Sequence, residues 1–251
     1  MEKATTIGID FCGIRCENPF FLATSPAYAD YDSLSRALKA GWAGVFYAMD
    51  GGGKELDMLH RLKSEYPSKV AVAALPGKKE ALVAELFEKV RAAGADALQI
   101  DAASARFLKG NLPLPLIVKD SSSSESSMDA YLSGAGAITI DTRKSTSRNS
   151  RDAVHHILKL SSNPILDGLD LSGICDACSW PDALELLQAG CSIIQVHSSD
   201  GSPDVCKAIA DLVSGLGEYL SEHGLPDTSS LVGEKSRKLL NLRILAGSPQ
   251  D

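Results

Sequence analysis

Five short apolar runs in this chain each end abruptly in polar or charged residues: VFYAMD at Asp50, LQID at Asp101, LIVKD at Lys119 and Asp120, ITIDTR at Asp141, Thr142 and Arg143, and IIQVHSSD from His197 to Asp200. Helix-length amphipathic segments separate most of them. This alternation predicts parallel strands, buried on both faces, whose carboxyl ends open together on one side. In a TIM barrel that side is where sites are built. The pattern therefore directs attention to Lys119 and to several aspartates facing one another across a barrel mouth.

The remaining segments fill out a TIM (β/α)8 barrel of the α/β class. TIGIDFCGIRCENP alternates apolar and polar residues with a turn near Gly13, which predicts an N-terminal β-hairpin closing the barrel bottom. PFFLATSP reads as the first barrel strand and DYDSLSRALKAG as a helix with an aspartate cap and a terminal glycine. A glycine-rich loop, GGGKELD, is expected before the helix LDMLHRLKSEYP, and KVAVAALPG supplies the third strand. About a dozen residues, GNLPLP among them, separate the fourth strand from LPLIVKD, so the crossover there is expected to be shortened. The run SSSSESS reads as a top loop and helix cap, NPILDGLDLSGICDA contains the seventh strand, and IIQVHSS is the eighth. One domain over residues 1–240, followed by a polar tail over 241–251, is the expected organisation.

A chain of 251 residues is long enough for one barrel with a large core. A net charge of −7 argues against a nucleic-acid or anionic-membrane partner. The opening MEKATTIGIDFCG lacks the apolar stretch of a signal peptide, and no apolar run approaches the length needed to span a bilayer. A cytoplasmic location is expected. Six cysteines are too sparse for a disulfide scaffold and would be kept reduced there.

Several stretches together carry a resemblance: FCGIRCENPFFLATSP, ALKAGWAG, RAAGADALQID, LPLIVKD, GAGAITIDT, SWPDALELLQAGCSIIQVHSS and SLVGEK. From about residue 7 to residue 235 the chain closely resembles the flavin barrel shared by dihydroorotate dehydrogenases and the pyrimidine-reducing subunit of dihydropyrimidine dehydrogenases. The resemblance implies FMN at the strand ends and hydride transfer between FMN and the C5=C6 bond of a pyrimidine-like small molecule, with a cysteine or serine on a mobile loop as acid or base. It further implies flavin contacts by Thr24, Ser25, Lys119, Thr142, Gly173, Ser198 and Ser199. A homodimer or an electron-transfer partner is the assembly it suggests.

The chain also departs from that pattern. The family lysine after the second strand is replaced within Tyr47, Ala48 and Met49, and Asp101 followed by AASARFLKGN stands where an asparagine and the cysteine loop are expected. Asp141 precedes Thr142 in place of an asparagine, and Cys175 with Asp176 occupies the position of a glycine pair that would cradle the FMN phosphate. A carboxylate facing a phosphate is repulsive.

Lys119, Asp101 and Asp141 are the candidate catalytic residues. In a flavin enzyme Lys119 would stabilise negative charge on the reduced ring. In a flavin-free barrel, a lysine among Asp101, Asp120 and Asp141 would transfer protons or form a Schiff base, although nearby carboxylates stabilise its charged form and weaken the second option. Asp50, Asp101, Asp141, Asp176 and His197 together have the donor types of a cation site, but no motif supports one. Cys175 and Cys178 form a lone CxxC, and His197 is the histidine at a strand end. Two classes of function stay open: an FMN-dependent oxidoreductase, or a flavin-free descendant that is either an enzyme using Lys119 with Asp101 and Asp141 or a non-catalytic partner subunit.

Overall fold

The computed structural model describes residues 6–25, 29–49, 52–75, 77, 80–105, 112–120, 124–144, 150–176, 178–198, 204–238 and 241. Strands β1 (Ile9–Phe11) and β2 (Ile14–Cys16) form an antiparallel hairpin. Its two-residue turn places both Cys12 and Gly13 in the left-handed region, which aligns the turn with the twist of the strands. Cys12 adopts this conformation without a glycine, and its N–H donates to Asp170 Oδ2 at 2.7 Å.

Eight parallel strands then close a barrel: β3 (Phe20–Ala23), β4 (Gly44–Ala48), β5 (Val70–Leu75), β6 (Ala97–Asp101), β7 (Leu116–Lys119), β8 (Ala137–Asp141), β9 (Asp170–Asp176) and β10 (Ile193–His197), with β10 pairing back onto β3. The expected TIM barrel and its hairpin are both present. Helices α1 (Tyr31–Ala40), α2 (Gly53–Glu65), α3 (Glu80–Ala92), α4 (Ala102–Ala105), α5 (Ser124–Leu132), α6 (Ser150–Ser161), α7 (Trp180–Ala189), α8 (Val205–Glu222) and α9 (Thr228–Leu231) follow in chain order. The shortened crossover is visible as α4, a single turn after β6. Helix α2 starts earlier than the glycine run suggests. Gly52 is its N-cap, and the Glu55 carboxylate accepts the Gly52 N–H, which lets a glycine pair open a helix.

Side chains alternate across each strand, so two cores result. Outward residues such as Leu98, Ile100, Val118, Ile138, Ile140 and Ile194 pack under the helices in one large cluster. Inward residues at the amino ends, including Phe21, Phe46, Val72 and Ile117, form a second cluster that Ile9 and Phe11 of the hairpin cap from below. The hairpin therefore plugs the bottom, and the carboxyl ends remain the open side. Cys12 and Cys16 belong to this lower region, where burial pushes the Cys16 thiol up to about 12 and leaves it a packing group.

Gly44 faces inward beside Phe21, and a Cβ there would lie 2.1 Å from the Val70 carbonyl oxygen and 2.7 Å from the Phe21 ring. Gly44→Ala is expected to cost about 3 kcal/mol by overpacking. Gly217, inside α8 with nothing within 4 Å of such a Cβ, gives the opposite expectation, a gain of about 0.5–1 kcal/mol in Gly217→Ala. Urea midpoints of the two variants check both signs.

Candidate functional site

Alternation continues up each strand and decides which polar residues reach the mouth. Inward positions above the apolar layer carry Gln99, Thr139, Ser172 and Gln195, all buried. Gln195 Nε2 donates to Ser172 Oγ at 2.8 Å and to Thr139 Oγ1 at 3.2 Å, which ties β10 to β9 and β8 inside the barrel. Gln99 is 5% exposed, and its carboxamide lines the cavity above with no hydrogen-bond partner among the described residues. This cavity, about 180 Å³, opens at the carboxyl ends and is also lined by Thr24, Ala48, Asp101, Lys119, Arg143, Ile174 and His197.

The strongest interaction at the mouth is a carboxylate held by two cations. Asp141, with a side chain only 1% exposed, accepts Arg143 Nε and Nη2, each at 2.8 Å, and lies 3.1 Å from Lys119 Nζ. Burial alone would raise the Asp141 carboxyl. The Arg143 hydrogen bonds and the Lys119 charge outweigh it and hold the group well below the usual carboxylate range. The ion pair makes Lys119 a fixed cation on the cavity wall, a role suited to charge stabilisation and not to attack on a carbonyl.

Other predicted residues fall into three groups. Asp101 lies beside Lys119 in the ladder, lines the cavity and accepts the Gly77 N–H at 2.6 Å. Thr24, Ser25 and Thr142 join neighbouring strand ends: Thr24 Oγ1 accepts the Ala48 N–H at 2.8 Å, Ser25 Oγ donates to the Ser198 carbonyl at 2.6 Å, and Thr142 Oγ1 donates to the Ile174 carbonyl. Asp50, Ser199 and Asp200 lie outside the described residues.

Two placements correct the sequence expectations. Gly173 is an outward position of β9, where a Cβ would meet Cys191 Sγ at 3.2 Å and Leu186 at 3.5 Å. It is a packing glycine under α7 and not a ligand contact at the mouth. Asp120 does not ring Lys119, because the residue after an inward lysine points outward. Its carboxylate meets His156 Nε2 at 3.0 Å and Ser127 Oγ at 3.3 Å, joining α5 and α6 behind the strand.

Asp176 and His197 do come together, with His197 Nδ1 2.9 Å from Asp176 Oδ1, and Arg143 Nη1 lies 3.9 Å from the same oxygen. Among the described residues no group of three or more His, Cys, Asp or Glu side chains is arranged to hold a metal ion. Cys175 and Cys178 are buried side by side. Their mutual hydrogen bond, followed by burial, drives the Cys175 thiol well above its ordinary value, away from reactive thiolate character.

Gln99 and Gln195 are site residues that strand-end reading missed, whereas Arg143 stands in a strand-end run to which the sequence assigns no role. The signal was available in a spacing of two: Gln99 with Asp101, Thr139 with Asp141 and Gln195 with His197 share inward faces.

The arrangement predicts a pH-dependent contribution to stability. Asp141 has a folded value below its unfolded one, so its stabilisation is complete above about pH 4 and is lost as the pH falls further. Asp141→Asn is expected to cost about 3 kcal/mol at pH 7 by leaving Lys119 and Arg143 uncompensated. The gap from the parent protein should narrow in urea titrations run between pH 4 and pH 2.

No known protein-family profile matches the chain. Among curated proteins, the NAD-dependent dihydropyrimidine dehydrogenase subunit PreA of Escherichia coli strain K12 is 24% identical over 313 aligned positions, covering 90% of this chain and 76% of that protein. The same subunit of Escherichia coli O157:H7 matches to the same extent. Among solved structures, a mandelate oxidase variant with a monooxide FMN adduct has a TM-score of 0.71 at 13% identity, covering 93% of this chain and 83% of that one. The same variant with 4-Br-2-hydroxy-methylphenylacetate gives 0.71 and 13%, and both comparisons bear on the fold alone. The resemblance carried by stretches such as FCGIRCENPFFLATSP and LPLIVKD is thus met by a curated relative: over nine-tenths of its length this chain is similar to a dihydropyrimidine dehydrogenase subunit and divergent from it in sequence.

Proposed function

We propose that this barrel is a flavin-dependent oxidoreductase that binds FMN at its mouth and acts on a pyrimidine-like small molecule. The observation that carries the reading is a cavity at the carboxyl ends whose wall carries both a fixed cation, Lys119, and the buried Gln99, which meets no hydrogen-bond partner among the described residues. Such a cavity suits a planar ring rich in carbonyl and N–H groups, and the donors present fit the ring end of a flavin. Similarity to a dihydropyrimidine dehydrogenase subunit supports the same reading.

A bound flavin supplies hydride chemistry. The residues of the chain do the rest. Lys119 would place positive charge where the ring becomes electron-rich, with Asp141 and Arg143 holding the ammonium in position. Gln99 would meet a carbonyl or N–H on the ring edge, and Asp101 lies beside the lysine as a polar neighbour. Thr24, Ser25, Thr142 and Ser198 would shape the rim through strand-end hydrogen bonds. Asp176 is the departure at the phosphate end, and His197 and Arg143 flank its charge. An electron-transfer partner fits the reading, since the curated relative is named as a subunit.

One observation favours the alternative of a flavin-free descendant: the positive charge of Lys119 is already matched by Asp141. The absorption spectrum of the purified protein, followed by FMN titration, separates the two. Flavin bands at about 370 and 450 nm, or FMN uptake weakened about tenfold in Lys119→Ala, are expected for the oxidoreductase. A colourless protein that leaves FMN unbound would overturn it and favour the alternative.

A further inference from the structure

Asp101 ends β6 on the inward face, two residues above Gln99, and is the partner of Lys119 in the strand ladder. Its Oδ2 accepts the Gly77 N–H at 2.6 Å, which fixes the carboxylate on the cavity wall. Lys119 is bound to Asp141 at 3.1 Å, and Arg143 is shared between Asp141 and Asp176. Among the described residues Asp101 has no cation within ion-pair distance. Two cations, Lys119 and Arg143, thus face three carboxylates, Asp101, Asp141 and Asp176, and this wall carries one net negative charge whenever His197 is neutral.

Gln99 locates a bound ring relative to that charge. Its carboxamide, 5% exposed and without a hydrogen-bond partner among the described residues, requires a ligand edge to satisfy it. Because Gln99 lies beneath Asp101 on the same face of the same strand, a ring that reaches it from the open side rests against Asp101.

We propose that Asp101 sets the electron affinity of a flavin bound here: its unpaired carboxylate, on the wall that Gln99 draws the ring against, makes the site favour the oxidised ring over the reduced one. The proposal rests on the flavin reading above. A hydride brings two electrons and one proton, so the reduced ring carries one negative charge until a second proton binds. A fixed carboxylate against the ring repels that charge, and Lys119 offsets it only in part because Asp141 already matches the ammonium. Charge beside the ring is a means by which a protein tunes a flavin. Held below the potential of free FMN, the flavin gives a hydride more readily than it takes one, which favours reduction of a ring double bond over its formation. The asparagine that the resemblance leads one to expect here is uncharged, so this charge belongs to the present chain.

The test is a titration of the purified protein with oxidised FMN and, under anaerobic conditions, with FMN reduced by dithionite. The parent is expected to bind the oxidised form more tightly. Asp101→Asn keeps an oxygen for the Gly77 N–H and removes the charge. It is expected to raise affinity for reduced relative to oxidised FMN about tenfold, an upward shift of about 30 mV for a two-electron couple. Asp101→Glu, which restores the charge, should keep the ratio within threefold of the parent. Gln99→Leu should weaken both forms about tenfold and leave their ratio within threefold. A parent that prefers reduced FMN, an unchanged ratio in Asp101→Asn, an Asp101→Glu variant that matches Asp101→Asn, or undiminished FMN affinity in Gln99→Leu overturns the assignment while FMN uptake preserves the oxidoreductase reading. A parent that takes up neither form overturns that reading and the assignment with it.

Discussion

Everything at the mouth of this barrel depends on the two-residue alternation of closed parallel strands. Because each strand turns every second side chain inward, a polar residue two steps below another is stacked beneath it. Thus Gln99 lies under Asp101, Thr139 under Asp141 and Gln195 under His197, forming a polar layer between an apolar floor and a charged rim. The hairpin carrying Phe11 fills the lower end, so the upper end is where inward positions need not be apolar. Segregation of apolar floor from polar mouth is what allows a barrel with two full hydrophobic cores to keep a binding cavity.

Within the rim, charges are arranged to be mutually satisfied. Asp141 has lost nearly all contact with water, and two cations compensate for it. Lys119 is thereby immobilised on the cavity wall, and Arg143 extends the network toward Asp176 and His197. A network of this kind holds its members in defined positions at the cost of desolvating them. The hydroxyls of Thr24, Ser25 and Thr142 fasten adjacent strand ends beneath it, keeping the rim on rigid elements.

Similarity to the dihydropyrimidine dehydrogenase subunit covers 90% of the chain. Ala48, in the stretch of Tyr47, Ala48 and Met49 where the resemblance leads one to expect a lysine, lines the cavity, and Asp176 ends β9 where it leads one to expect a glycine. Both positions are at strand ends, above a closed eight-stranded barrel. Strand-end side chains of a barrel can change chemistry without disturbing the packing below.

The barrel, its hairpin and the shortened crossover were legible in the sequence because apolar runs, helix-length spacings and caps are local signals. So was the set of polar strand ends. Which ends converge was not. Asp120 read as a member of the mouth by its place beside Lys119 and Gly173 through the family resemblance, and the closed register turned both outward, Asp120 to His156 and Gly173 against Cys191. Arg143 read as one residue in a strand-end run, and only folding set its guanidinium across Asp141. The sequence by itself determined the periodicities and therefore the architecture. The tertiary structure alone decided the partners, because ion pairs and hydrogen bonds depend on distances of about 3 Å between residues that the chain separates by whole strands and helices.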